Sequence, residues 1–191
     1  MRYGLRRKTK DVDLVVSNEE EFKLLTDTLL SLGFRKEVPD AVAYGRMALS
    51  HILLRDNARV DLFCRAVCGR FALSEKMRER ASPDLSLNNV RLLVCSLDDV
   101  FLFKCMTERD GDLEDCERIA RDHALDWNAI LDEAVKQCIH ENSVWITWIT
   151  DRMELLAERG VRIPILKKMV SLTDDYIKKW GRELEERCGN N

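Results

Sequence analysis

The chain has 191 residues, a hydrophobic fraction of 46%, a charged fraction of 34% and a formal net charge of −3. That length suits one domain, or one small domain carrying a helical extension, and the balance excludes a disordered or collagen-like chain. No apolar run approaches the roughly 18–20 residues that span a bilayer, and the basic start lacks the apolar core of a signal peptide, so a cytoplasmic protein with no membrane partner is expected.

The first ten residues hold Arg2, Arg6, Arg7, Lys8 and Lys10 and no acid. Such a cluster can hold phosphate, although a short basic run is more often a solvated face. Val12 to Val16 is a β-branched run and reads as a strand. Ser17 and Glu20 then have capping-box spacing. They open a helix with Phe22, Leu25, Leu29 and Leu32 on one face, closed at Gly33. Weaker strand signals run from about Ala43 to Leu54. After a turn at Asp56-Asn57, Arg59 to Phe63 reads as another strand. Ser74 to Ala81 is a short helix and Val90 to Cys95 a strand.

From Ser96 the pattern is helical. Ser96-Leu97-Asp98-Asp99 caps a helix through Val100, Phe103 and Lys104. Leu113 to His123, Trp127 to Ile139, Val144 to Glu158 and Ile165 to Arg187 supply four more. The expected fold class is α+β, a mixed α/β core over residues 1–95 followed by a helical region over 96–191. Trp127, Trp145, Trp148 and Trp180, with Ile146, Ile149 and Leu155, read as core at helical spacing. Lys167-Lys168 and Lys178-Lys179 stand about three turns apart and could share a face, but neighbouring acids dilute them.

The seven cysteines are odd in number and widely spaced, without a C-x-x-C pair. Buried free thiols fit better than a disulfide framework or a zinc site. The carboxylates carry more chemistry. Asp11 and Asp13 are two apart in a strand, so they leave one face about 7 Å apart. Like charges so placed repel unless a cation or solvent relieves them. Two Mg²⁺ ions about 4 Å apart need such clustered oxygen ligands. Asp61, inside the apolar strand Val60 to Phe63, is the natural third. Each acid taken singly is equally what a solvated strand end shows.

Arg7-Lys8-Thr9-Lys10-Asp11-Val12-Asp13-Leu14 resembles the R-x-T-x-D-h-D-h block of nucleotidyltransferase-fold proteins, in the group that includes AbiEii-type toxins. Ser96 to Val100 with Lys104, Arg109, Asp112 and Asp115 resembles that group's second block, a capped helix bearing Lys and then R-x-x-D-x-x-D. The resemblance covers about residues 1–125. It implies a nucleotidyltransferase-like mixed sheet with flanking helices, and a transferase using Mg²⁺ or Mn²⁺ to move a nucleoside monophosphate from an NTP. The implied catalytic and metal-binding residues are Asp11, Asp13 and Asp61, and the implied nucleotide-binding residues Thr9, Lys10 and Lys104. Arg109, Asp112 and Asp115 fit a structural ion-pair network equally well. The acceptor is unknown, with RNA (tRNA ends in particular) suggested by the toxin relatives. The alternative is an inactive member acting as a binding or toxin–antitoxin partner.

The family's Gly-Gly or Gly-Ser turn would fall at or before Met1, and Gly4 is too close to Asp11 to replace it. A chain beginning at Met1 is therefore expected to lack one sheet strand, to form a homo-oligomer over the uncovered edge, and to transfer weakly.

Overall fold

The computed structural model describes residues 11–37, 51–67, 71–87, 90–107, 109–140 and 144–189. The fold is mixed α+β and mostly helical, with seven helices and a small mixed sheet among the described residues. It divides into two compact units, Met1–Ala81 and Ser82–Asn191. None of the described helices is long and apolar enough to cross a membrane.

In the first unit, β1 (Asp11–Val16) leads into α1 (Glu19–Ser31), then β2 (Arg35–Glu37), β3 (His51–Arg55) and β4 (Ala58–Cys64). These four strands form one sheet in the order β1-β4-β3-β2. β1 runs parallel to β4, and the other two pairings are antiparallel. A parallel neighbour needs a crossover rather than a hairpin, and α1 begins that connection. The β3–β4 hairpin turns at Asp56, whose φ of 53° is one that aspartate tolerates. Two short strands, β5 (Ala66–Val67) and β6 (Phe71–Ala72), and the helix α2 (Glu75–Arg80) complete the unit. The expected strand signals before His51 fall on residues outside the described set.

Alternation decides which face of the sheet is buried. Leu53, Val60 and Leu62 form a buried cluster, against which Leu14, Val16, Phe22, Leu25, Leu29 and Phe34 pack. Thus α1 lies on the face that carries the even-numbered side chains of β1 and β4. Leu32, expected on this helix face, is 56% exposed because the helix has already ended. The last turn closes on Gly33 at φ 87°, with Gly33 N–H donating to Leu30 O at 3.0 Å and Phe34 N–H to Leu29 O at 3.1 Å. This double bond pattern requires a left-handed residue, and glycine adopts that conformation without steric cost.

The start of α1 also differs from the expected Ser17–Glu20 pair. Asn18 is the cap, its Oδ1 accepting from Glu21 N–H at 2.8 Å, while Glu21 Oε2 accepts from Ser17 N–H at 3.0 Å. The capping reciprocity is therefore shifted by one residue, because Asn18 is the last extended residue before the helix. Asn18→Ala should cost about 1 kcal/mol, read from a denaturant midpoint, whereas Ser17→Ala should cost little.

The second unit opens with the hairpin β7 (Ser82–Leu87) and β8 (Val90–Val94), followed by α3 (Leu97–Cys105), α4 (Asp110–Asp122), α5 (Trp127–His140), α6 (Trp145–Glu158) and α7 (Leu166–Gly189). Ser96 caps α3, its Oγ accepting from Asp99 N–H at 3.2 Å. Phe101, Leu102, Ile119, Ile130, Ile149, Met153, Leu156 and Met169 are fully buried. The Phe101 ring meets Trp127 edge-on at 5.5 Å. Ile146 and Ile149 join this core, but Leu155 at 41% and Trp180 at 53% exposure do not. Helical spacing alone cannot tell which of two adjacent faces meets a neighbour.

Candidate functional site

β1 and β4 bring the three sequence-selected carboxylates onto one sheet face. In the parallel register Asp11 stands beside Arg59 and Asp13 beside Asp61. Register partners share a face, and so do residues two apart on one strand. Asp11, Asp13, Arg59 and Asp61 therefore occupy four adjacent positions, about 4.8 Å apart across the strands and about 7 Å apart along them. The intervening residues Val12 and Val60 belong to the opposite face, the one that carries α1. Asp61 is buried, whereas Asp11 and Asp13 are exposed.

Arg59 is the member of this group that the chain reading did not single out. Its Nε donates to Asp61 Oδ1 at 2.7 Å and its Nη2 to Asp61 Oδ2 at 2.8 Å. Such a two-pronged guanidinium–carboxylate pair is a strong, charge-assisted interaction. The signal was present in the sequence: Arg59 and Asp61 are two apart in a strand, the same spacing that united Asp11 and Asp13.

The donor chemistry suits a hard divalent cation, for which carboxylate oxygens are the preferred ligands. The backbone register suits it as well. The side-chain arrangement around Asp61 does not yet, because both of its oxygens already accept from Arg59. Consistently, among the described residues no group of three or more His, Cys, Asp or Glu side chains is gathered closely enough to hold a metal ion. His51 offers no ligand to this face. It pairs in register with Leu62, on the helix side, where its Nδ1 lies 3.2 Å from Thr26 Oγ1 and its ring 4.7 Å from that of Phe22. Thr9 and Lys10 lie outside the described residues.

The second sequence block assembles within the helical unit. Lys104, at the end of α3, reaches Asp112 Oδ1 at 2.8 Å and Asp115 Oδ2 at 2.7 Å on α4. Asp112 Oδ2 also accepts from Thr107 Oγ1 at 2.7 Å and from Arg109 Nε at 2.8 Å. Arg152 on α6 closes the arrangement from outside, donating through Nε to Thr107 O at 2.8 Å and through Nη2 to the same oxygen. Lys104, Arg109, Asp112 and Asp115 thus form an ion-pair network across the α3–α4 corner.

Burial disfavours charge on Lys104, but the hydrogen bonds and negative charges of Asp112 and Asp115 outweigh it and raise its pKa. Burial likewise pushes against the charged form of Asp112. Hydrogen bonds from Lys104 and Thr107, with the charges of Lys104 and Arg109, overcome that and lower its pKa.

Beside this corner lies a cavity of about 280 Å³ lined by Cys105, Thr107, Trp148, Asp151, Arg152 and Leu155. Cys105, Cys116 and Cys138 are buried free thiols. Cys105 Sγ lies 3.9 Å from Cys116 Sγ. Burial raises the pKa of Cys105, and that of Cys138 to about 12, so neither is a thiolate nucleophile at neutral pH.

Compared with models of known protein families, the chain matches none, and a comparison with curated proteins likewise finds no match.

Proposed function

We propose that this chain is a nucleotidyltransferase-fold protein that uses Mg²⁺ or Mn²⁺ to transfer a nucleoside monophosphate from an NTP to an unknown acceptor, for which the family resemblance suggests RNA. The observation that carries this reading is the parallel register pairing Asp13 with Asp61, with Asp11 two residues away on the same face. A bound divalent pair would neutralise the triphosphate and polarise its α-phosphate. Asp11 and Asp13 would hold the ions and orient the triphosphate. Asp61, once released by Arg59, would complete the ligand set and accept the proton of the attacking hydroxyl at a carboxylate oxygen. Attack on the α-phosphate in line with the departing pyrophosphate then depends mainly on positioning and charge neutralisation.

A second reading, an inactive member that acts as a binding or toxin–antitoxin partner, is favoured by the Arg59–Asp61 pair. That pair satisfies Asp61 without any metal. Calorimetry with Mn²⁺ separates the two readings. The intact chain should bind Mn²⁺ and Asp13→Asn should bind it more than tenfold more weakly, with labelled NTP incorporated into total RNA by the former alone. Equal Mn²⁺ affinity in the two proteins would remove the metal-dependent reading.

The expected homo-oligomer is also a proposal. Sedimentation at tens of micromolar should show a dimer or larger species, and a clean monomer would contradict it.

A further inference from the structure

We propose that the cavity beside the α3–α4 corner is a binding site for one guanine base. It is independent of the carboxylate face, since every lining residue belongs to the helical unit.

Helix periodicity builds the wall. Trp148, Asp151, Arg152 and Leu155 follow the spacing i, i+3, i+4, i+7, which gathers them on one face of α6. Cys105 and Thr107, at and just after the end of α3, line the other side. An apolar body with a few polar groups is the usual make-up of a ligand pocket. Here the half-buried Trp148 ring, Leu155 and the Cys105 thiol supply the apolar part, and Asp151 and Arg152 the polar part. A cavity of about 150 Å³ accepts benzene. One of about 280 Å³ accepts a two-ring base but not a whole nucleotide.

The polar groups select the base. Asp151 is exposed and has no hydrogen-bond or ion-pair partner among the described residues. A carboxylate only accepts, and its two oxygens match two adjacent N–H donors. Of the four RNA bases, guanine carries such a pair on neighbouring nitrogens, N1–H and N2–H, with the acceptor O6 beside it. Adenine presents the lone pair of N1 there, which a carboxylate repels. Arg152 supplies the complementary donor. Its Nε and Nη2 donate to Thr107 O, which fixes the guanidinium, and Nη1 has no partner among the described residues. Trp148 meets Trp145 edge-on at 5.4 Å, a contact that steadies its ring as a stacking surface.

The test is calorimetry of the full chain with guanosine monophosphate, in a chelating buffer that removes divalent ions. This nucleotide should bind at least tenfold more tightly than the adenosine, cytidine or uridine monophosphate, and should quench tryptophan fluorescence. Asp151→Asn should lose at least tenfold in that affinity at an unchanged melting temperature, because the side chain is exposed. A single-stranded uridine oligonucleotide carrying one guanosine separates the two sources of the base. Binding at least tenfold tighter than the monophosphate assigns the site to RNA, and equal or weaker binding assigns it to free nucleotide. Equal affinity for the four monophosphates, no saturable binding of either probe at millimolar concentration, or an affinity that Asp151→Asn leaves unchanged overturns the proposal.

Discussion

Lys104→Ala should destabilise the helical unit by about 3 kcal/mol, the scale of removing one partner from a buried ion pair, and lower its melting temperature by roughly 10 °C. The reason is geometric. Lys104 Nζ separates two carboxylates, Asp112 and Asp115, whose side chains are 6% and 5% exposed. Without it both buried carboxylates lose the cation they share, although Asp112 keeps its bonds from Arg109 and Thr107. All four tryptophans, Trp127, Trp145, Trp148 and Trp180, stand in this unit, so fluorescence reports its unfolding directly. Lys104→Met should cost nearly as much, which would assign the effect to charge rather than to lost packing.

The pH dependence has a definite sign. Asp112 has a lowered pKa in the folded state, so its contribution is present above the ordinary carboxylate range and lost as pH falls through the lowered value. Lys104 has a raised pKa, so its contribution is complete below the ordinary lysine value and lost as pH rises through the raised one. The network should therefore hold from about pH 4 to about pH 10. In Lys104→Ala the surviving carboxylates should take up protons more readily. The penalty of that variant should then shrink between pH 7 and pH 5. If Lys104→Ala instead leaves the melting temperature unchanged and weakens NTP binding, the lysine acts on nucleotide, as the family resemblance implies.

Leu62→Ala should cost about 3 kcal/mol, within the range for emptying a fully buried leucine site. Leu62 has no solvent exposure and sits next to Asp61 on β4, on the opposite face, against the cluster that packs on α1. It holds β4 on the helix, and strand alternation then turns Asp61 the other way. Far-UV circular dichroism is the suitable readout, since the tryptophans lie outside this unit. Leu24→Ala, at a position 68% exposed on α1, should change stability by less than about 0.5 kcal/mol. Comparable losses in the two variants would mean that this side of the sheet has no specific core.

Much of the secondary structure was legible because local rules act alone there. The β-branched run at Val12 to Val16, the short helix read from Ser74 to Ala81, the Ser96 cap and the helical periods after it correspond closely to β1, α2 and the helices α3 to α7. The strand β7 was not legible. Pro83 and Asp84 disfavour a strand, and the structure accommodates them with a register shift between Pro83 and Leu85. Its pairing with β8 lies within the second compact unit, Ser82–Asn191.

The sequence by itself determined that Asp11 and Asp13 share a face and that Asp61 lies in a second strand, because a strand repeats every two residues. Only tertiary structure decided that β1 and β4 are parallel neighbours and that Asp13 stands beside Asp61. Register is a long-range pairing, and here burial of Leu14, Val60 and Leu62 beneath α1 selects it, since a one-residue slip would turn those side chains out. Tertiary structure also decided the immediate partners of the charged groups. Arg59 holds Asp61, and Lys104 holds Asp112 and Asp115, because a shielded charge is stable only when an opposite charge meets it at hydrogen-bond distance. Spacing along a chain sets which residues can share a face. Which of them touch is settled where the faces are packed.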